Sequence, residues 1–98
     1  MTTRIVHVVM HGRVQGVGFR AWVHHHAELN GLDGWVRNRR DGTVEAVFRG
    51  PDHLVEAMLK ACGQGPRGSV VERIETLPGK DADIEQRAAG RFEVLGTA

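Results

Sequence analysis

Gly34-Trp35-Val36-Arg37-Asn38 and Thr43-Val44-Glu45-Ala46-Val47-Phe48-Arg49 flank the dipeptide Asp41-Gly42. Each flank reads as a strand, and Asp-Gly is a preferred residue pair for a tight reversal. The stretch therefore predicts a β-hairpin, two antiparallel neighbours with no room for the helical crossover that a parallel pair requires. Upstream, residues 4–12 put Val6, Val8 and Met10 on one side of an extended segment and His7, Val9 and His11 on the other, which predicts another strand. Between the two, Phe19, Trp22, Val23, His26 and Ala27 recur at helical spacing and predict a helix over 19–30. Gly31 followed by Leu32 has the form of its C-terminal cap with the accompanying hydrophobic contact.

Downstream of the hairpin, Pro51-Asp52 opens a second helix, with Val55, Met58, Leu59 and Cys62 at i, i+3, i+4 and i+7 and Gly63 as its expected end. Residues 63–68 read as loop and Ser69 to Leu77 as a fourth strand. Phe92 to Leu95 form a short last one, and 78–91 show no period. The order β-α-β-β-α-β with an extra edge strand matches an α+β, ferredoxin-like split β-α-β sandwich, an antiparallel sheet with two helices packed on one face. No internal sequence repeat is present. At 98 residues, the chain suffices for one two-layer core, so residues 1–98 are expected to form a single domain.

Hydrophobic residues at 41% and charged residues at 26% are globular proportions, and no long biased tract points to disorder. A formal charge of +1 argues against the broad cationic surface that holds duplex nucleic acid, so any cationic effect must be local. Cys62 is the one cysteine, which rules out an intramolecular disulfide and fits a reducing compartment; its place on an apolar helical stripe points to packing. No basic segment followed by an uninterrupted apolar run opens the chain, and no long apolar span occurs later, so neither secretion nor membrane insertion is expected and a cytoplasmic location is. The six histidines do not converge. His24, His25 and His26 are consecutive on a helix and fan around its axis, His7 and His11 lie about 13 Å apart along a strand, and His53 stands alone, so no metal site is expected.

Chemistry concentrates in Gly12-Arg13-Val14-Gln15-Gly16-Val17-Gly18-Phe19-Arg20, a glycine-punctuated turn running from the first strand into the first helix. Glycines let such a turn take positive φ and aim successive backbone N–H groups at an oxyanion. The helix adds unpaired amides and the positive end of its dipole, and Arg20 adds a rigid cationic fork suited to phosphate. Gly16 to Ala21 also satisfies G-x-G-x-x-A, but the dinucleotide fold needs several parallel βαβ units and the hairpin forbids them. A Walker loop is excluded because no Gly-Lys-Ser/Thr follows the glycines. Asn38, at the end of the second strand, is the other candidate. An asparagine there can equally serve the turn by bonding its own backbone. Arg37, Arg39 and Arg40 beside it read as a solvated hairpin tip, or else as a group that steers an anionic substrate.

Taken in order and at their spacing, Gly12 to Arg20, Gly34-Trp35-Val36-Arg37-Asn38 and Asp41-Gly42-Thr43-Val44-Glu45 resemble the signature of the acylphosphatase family, over essentially the whole chain. The resemblance implies a ferredoxin-like fold and a cofactor-free hydrolysis of acyl phosphates to carboxylate and inorganic phosphate. It assigns phosphate binding to Arg20 and to the backbone of Gln15, Gly16, Val17, Gly18 and Phe19, and orientation of the attacking water to Asn38. It further implies no metal, a small-molecule substrate as the partner, and a monomer. Two departures are visible: many members carry threonine where this chain has Arg39, and the ending Phe92-Glu93-Val94-Leu95 lacks the basic character of several relatives. Of the rival classes, an RNA-binding sheet would need exposed aromatics on its third strand, where Thr43 to Phe48 offers none of the required Lys/Arg-Gly-Phe/Tyr pattern, and the chain has no tyrosine. A non-catalytic anion-binding domain would share the loop without turnover. A carbamoyl-phosphate-handling unit of a larger maturation enzyme would share the motif, and the chain length argues against it.

Overall fold

The computed structural model describes residues 2–80 and 91–98. Its elements run β1 (Thr3–Arg13), α1 (Phe19–Leu29), β2 (Asp33–Asn38), β3 (Val44–Pro51), α2 (Asp52–Gln64), β4 (Val70–Pro78) and β5 (Phe92–Val94). The sheet order is β4-β1-β3-β2-β5. The first four are mutually antiparallel, as the hairpin predicts. Strand β5 pairs parallel to β2, with Gly34 opposite Phe92 and Val36 opposite Val94, so the sheet is mixed rather than wholly antiparallel. Each β-α-β unit is split by a strand of the other, the ferredoxin-like arrangement with both helices against one face.

Alternation in β1 divides the two faces. Val6, Val8 and Met10 lie opposite Phe48, Ala46 and Val44 and enter the main core together with Phe19, Val23 and Ala27 of α1 and Val55, Met58 and Cys62 of α2. Helix α1 ends as its sequence predicts: Gly31 N–H donates to Glu28 O (3.1 Å) and Leu32 N–H to Ala27 O (2.9 Å), while Leu32 is buried. Helix α2 runs past its expected stop. Gly63 sits inside it at a modest propensity cost, and the left-handed residue is Gly65, with φ 67°. Burial pushes the Cys62 thiol up to about 12, so at neutral pH it is a packed apolar group. Of the aperiodic stretch 78–91, residues 81–90 lie outside the described residues.

The opposite face carries a smaller cluster, Trp35 and Val47 with Ile5 and Leu95. Arg37 belongs here. Its Nε donates to Glu45 Oε1 at 2.7 Å and its guanidinium lies 4.7 Å from the centre of the Trp35 ring, so it is not part of a cationic tip around Asn38. His7 Nε2 is 2.6 Å from the other Glu45 oxygen. Burial opposes ionisation of Glu45, but the hydrogen bonds from Arg37 and His7 outweigh it and hold its carboxyl below the ordinary range. A lowered folded-state value contributes stability that is present above the unfolded value, about pH 4.3, and is lost as pH falls through the folded one. Glu45→Gln is expected to cost about 1–3 kcal/mol at pH 7, and the gap to the parent chain should narrow below about pH 4. Urea midpoints measured from pH 7 to pH 3 check this.

Candidate active site

The turn between β1 and α1 is shaped by Gly16 and Gly18, at φ 75° and 77°. A Cβ at either position would meet nothing within 4 Å, so glycine is required there for the backbone angle and not for space. An ordinary side chain would cost roughly 1–2 kcal/mol per residue in that conformation. Gly18 is the N-cap residue of α1, no side chain caps the helix, and its first turn holds no acidic residue. The first intrahelical bond is Trp22 N–H to Gly18 O at 3.0 Å, which leaves the amides of Phe19, Arg20 and Ala21 without intrahelical acceptors. An uncapped positive helix end behind two left-handed glycines attracts an anion.

Asn38 reaches the same place from the sheet. It ends β2 two residues beyond Val36, on the helix-bearing face, and therefore projects past the core toward the start of α1. Gly16, Gly18, Arg20 and Asn38 border one open cleft of about 320 Å³, walled by Val14, Phe19, Ala21 and Val94. Neither the Arg20 guanidinium nor the Asn38 carboxamide has a hydrogen-bond or ion-pair partner among the described residues. Two strongly polar side chains left unpaired in one concavity are disposed to engage a solute rather than the fold.

The side chains of Gln15 and Val17, whose backbone is expected in the anion cradle, both turn to the fold. Val17 packs against the main core. The Gln15 side chain turns to the hairpin, its Nε2 donating to Arg39 O at 2.7 Å and to Thr43 O at 2.9 Å. One amide thus ties the glycine loop to the turn that follows Asn38. Sequence spacing contains no signal for this, because the two partners are 24 and 28 residues away and contribute only main-chain oxygens. Arg39 acts here through its backbone, which also donates to Thr43 O at 2.9 Å, while its guanidinium lies 3.7 Å from Asp41. The Thr43 hydroxyl and amide both donate to Asp41 Oδ1 and hold that carboxyl below its ordinary range. On its other side Asn38 is pinned by the tail: Ala98 N–H donates to Asn38 O at 3.0 Å and Arg40 N–H to Ala98 O at 3.1 Å. Gln15→Glu would face two carbonyl oxygens with a carboxylate, and a loss of about 1–3 kcal/mol in stability is expected, against about 1 kcal/mol for Gln15→Ala. Urea denaturation of both variants, with amide exchange at residues 39–43, checks it.

Among the described residues, no three His, Cys, Asp or Glu converge as metal ligands, and no helix is long and apolar enough to cross a membrane.

The family profile described as Acylphosphatase matches residues 6–94, a span that contains the glycine loop, the hairpin and β5. An acylphosphatase of Azorhizobium caulinodans is 60% identical over 73 residues, covering 74% of this chain and 78% of that protein. One of Bradyrhizobium diazoefficiens is 46% identical over 98 residues and covers 99% of both. Among solved structures, the acylphosphatase from Bacillus subtilis superposes with a TM-score of 0.81 at 32% identity, over 96% of this chain and 99% of that one. With the match extending from the first strand of the sheet to the last, the chain belongs to the acylphosphatase family.

Proposed function

We propose that the protein hydrolyses acyl phosphates, with the phosphoryl group held by the 15–20 loop and Arg20 and the attacking water oriented by Asn38. Family membership supports the reaction class, a hydrolase acting on acid anhydrides. The observation that carries the residue assignment is the pairing, in one cleft at an uncapped helix start, of a guanidinium and a carboxamide that bond to nothing else described.

The chemistry follows from what those groups can do. Phosphoryl transfer asks the protein mainly for positioning and for donors aimed at charge on the equatorial oxygens. The fork of Arg20 and the amides at the start of α1 supply those donors, and the fixed helix charge spares reorganisation during the reaction. Asn38 accepts from a water through its carbonyl oxygen and can donate to a phosphoryl oxygen through its NH₂, which orients the water's lone pair on phosphorus in line with the scissile bond. As the new P–O bond forms, the bond to the acyl oxygen breaks and its electron pair leaves as a carboxylate. Both of the water's protons stay on the phosphate, as dihydrogen phosphate, which releases one to solvent according to the pH. A carboxylate is a good leaving group and needs no protonation, so neither a strong base nor a metal ion is required. The test is an assay with benzoyl phosphate and a phosphate monoester side by side, with and without EDTA. EDTA-insensitive hydrolysis of benzoyl phosphate alone, inhibited competitively by inorganic phosphate, is expected. Phosphate binding without turnover would instead mark a non-catalytic anion receptor.

A further inference from the structure

With the phosphoryl group on Arg20 and the loop amides and the water on Asn38, no polar or charged side chain bordering the cleft remains, among the described residues, for the rest of the substrate. The remaining walls are apolar. Val14 and Phe19 are buried beneath the cleft, at 0% and 1% exposure, so the apolar side chains a ligand can touch are those of Ala21 and Val94. The exposure of Val94 has a structural cause. Phe92 and Val94 share one face of β5, the face that carries the helices; Phe92 stacks on Phe48 with centroids 5.5 Å apart and is 2% exposed, whereas Val94, two residues nearer the Asn38 end of β2, is 47% exposed. The strand outruns the cover of α1 and leaves a branched apolar side chain at the mouth of the cleft.

We infer that Val94, with Ala21, forms the subsite for the acyl group, and that the protein selects carboxyl phosphates whose acyl portion is uncharged and apolar; this rests on the hydrolytic reading above. An apolar acyl group laid on Val94 removes both surfaces from water, which favours binding in proportion to the area covered. A second carboxylate on the acyl portion would be desolvated against those methyl groups. Its one cationic neighbour among the described residues bordering the cleft would be Arg20, already committed to the phosphate.

Comparing kcat/KM for benzoyl, acetyl and succinyl phosphate in the parent chain and in Val94→Ala, Val94→Thr and Val94→Lys tests the subsite. The parent chain should prefer benzoyl over succinyl phosphate. Val94→Ala should lower the benzoyl-to-acetyl ratio about fourfold, the worth of about one buried methylene. Val94→Thr preserves the branched shape while replacing a methyl by a hydroxyl, and it should move the ratio in the same direction even where alanine loosens the short strand. Val94→Lys should raise the succinyl-to-benzoyl ratio about threefold, as an exposed ion pair would. Ratios unmoved in all three variants while hydrolysis continues, or a parent chain that prefers succinyl phosphate, would overturn the subsite and leave the hydrolytic reading standing. No turnover of any of the three substrates by the parent chain would overturn the hydrolytic reading, and the subsite with it.

Discussion

Replacing Arg20 by alanine is expected to lower kcat for benzoyl phosphate about a thousandfold and to weaken inhibition by inorganic phosphate, the scale of loss seen when a charged donor is removed from a phosphoryl or oxyanion site. The fold should not suffer. Arg20 has no ion-pair or hydrogen-bond partner among the described residues, and it places a positive charge in the first turn of a helix that has no acidic residue there to offset it. A cation at that end of the helix dipole is unfavourable by about 0.3–1 kcal/mol, so Arg20→Ala should be at least as stable as the parent chain. Loss of activity with unchanged or raised stability separates a binding role from a structural one. Arg20→Lys sharpens the test: it keeps the charge but loses the planar fork, and it should recover phosphate affinity better than turnover. A urea midpoint that falls together with activity in Arg20→Ala would move the residue from the site to the fold.

The parts of the fold legible in the sequence are those whose causes are local. Alternation through Val6, Val8 and Met10 sets the face of β1, Asp41-Gly42 sets the hairpin, and Gly31-Leu32 sets the end of α1, each through residues adjacent in the chain. Local rules also mislead locally. Gly63 looks like a helix stop because glycine often is one, but the positive φ that glycine permits falls to Gly65, the first residue past the helix. Arg37, Arg39 and Arg40 look like one cationic patch because they are near in sequence. Strand alternation sends Arg37 to the far face, where Glu45 and Trp35 receive it.

What was not legible depends on pairings between distant residues. The parallel docking of β5 on β2, which brings Val94 to the cleft, joins segments 58 residues apart and leaves no trace in either one's composition. The Gln15 clamp ends on two main-chain oxygens, and a carbonyl acceptor is the same whatever side chain it accompanies. For that reason the clamp does not depend on which side chain residue 39 carries. Arg20 and Asn38 were legible as candidates because their residue types and flanking elements limit what they can do. Their meeting in one cleft follows only from the register that carries Asn38 past the core to the start of α1.

Asn38→Ala should separate turnover from binding, since the carboxamide chiefly orients the water and its contact with the phosphoryl group is secondary to those of Arg20 and the loop amides. A loss of about 10²–10³ in kcat is expected, comparable to removing one well-placed donor, with the inhibition constant of inorganic phosphate within about twofold of the parent value. The substitution should be well tolerated by the fold, because the main chain at this position is held independently of its side chain, by Ala98 on one side and the β3 pairing on the other. Asn38→Asp then discriminates between two uses of the carboxamide. Aspartate can still accept from a water, but it cannot donate to a phosphoryl oxygen, and it sets a carboxylate against a dianionic group in a cleft whose one charged liner among the described residues is Arg20. If orientation of the water were the whole contribution, aspartate would restore part of kcat; if the NH₂ also contacts the phosphoryl group, kcat should stay low and KM should rise. The dual role predicts the second pattern, and the rise in KM should shrink with increasing salt, as repulsion across an open cleft is screened. Retention of parent-level kcat in Asn38→Ala would remove the water-orienting role altogether.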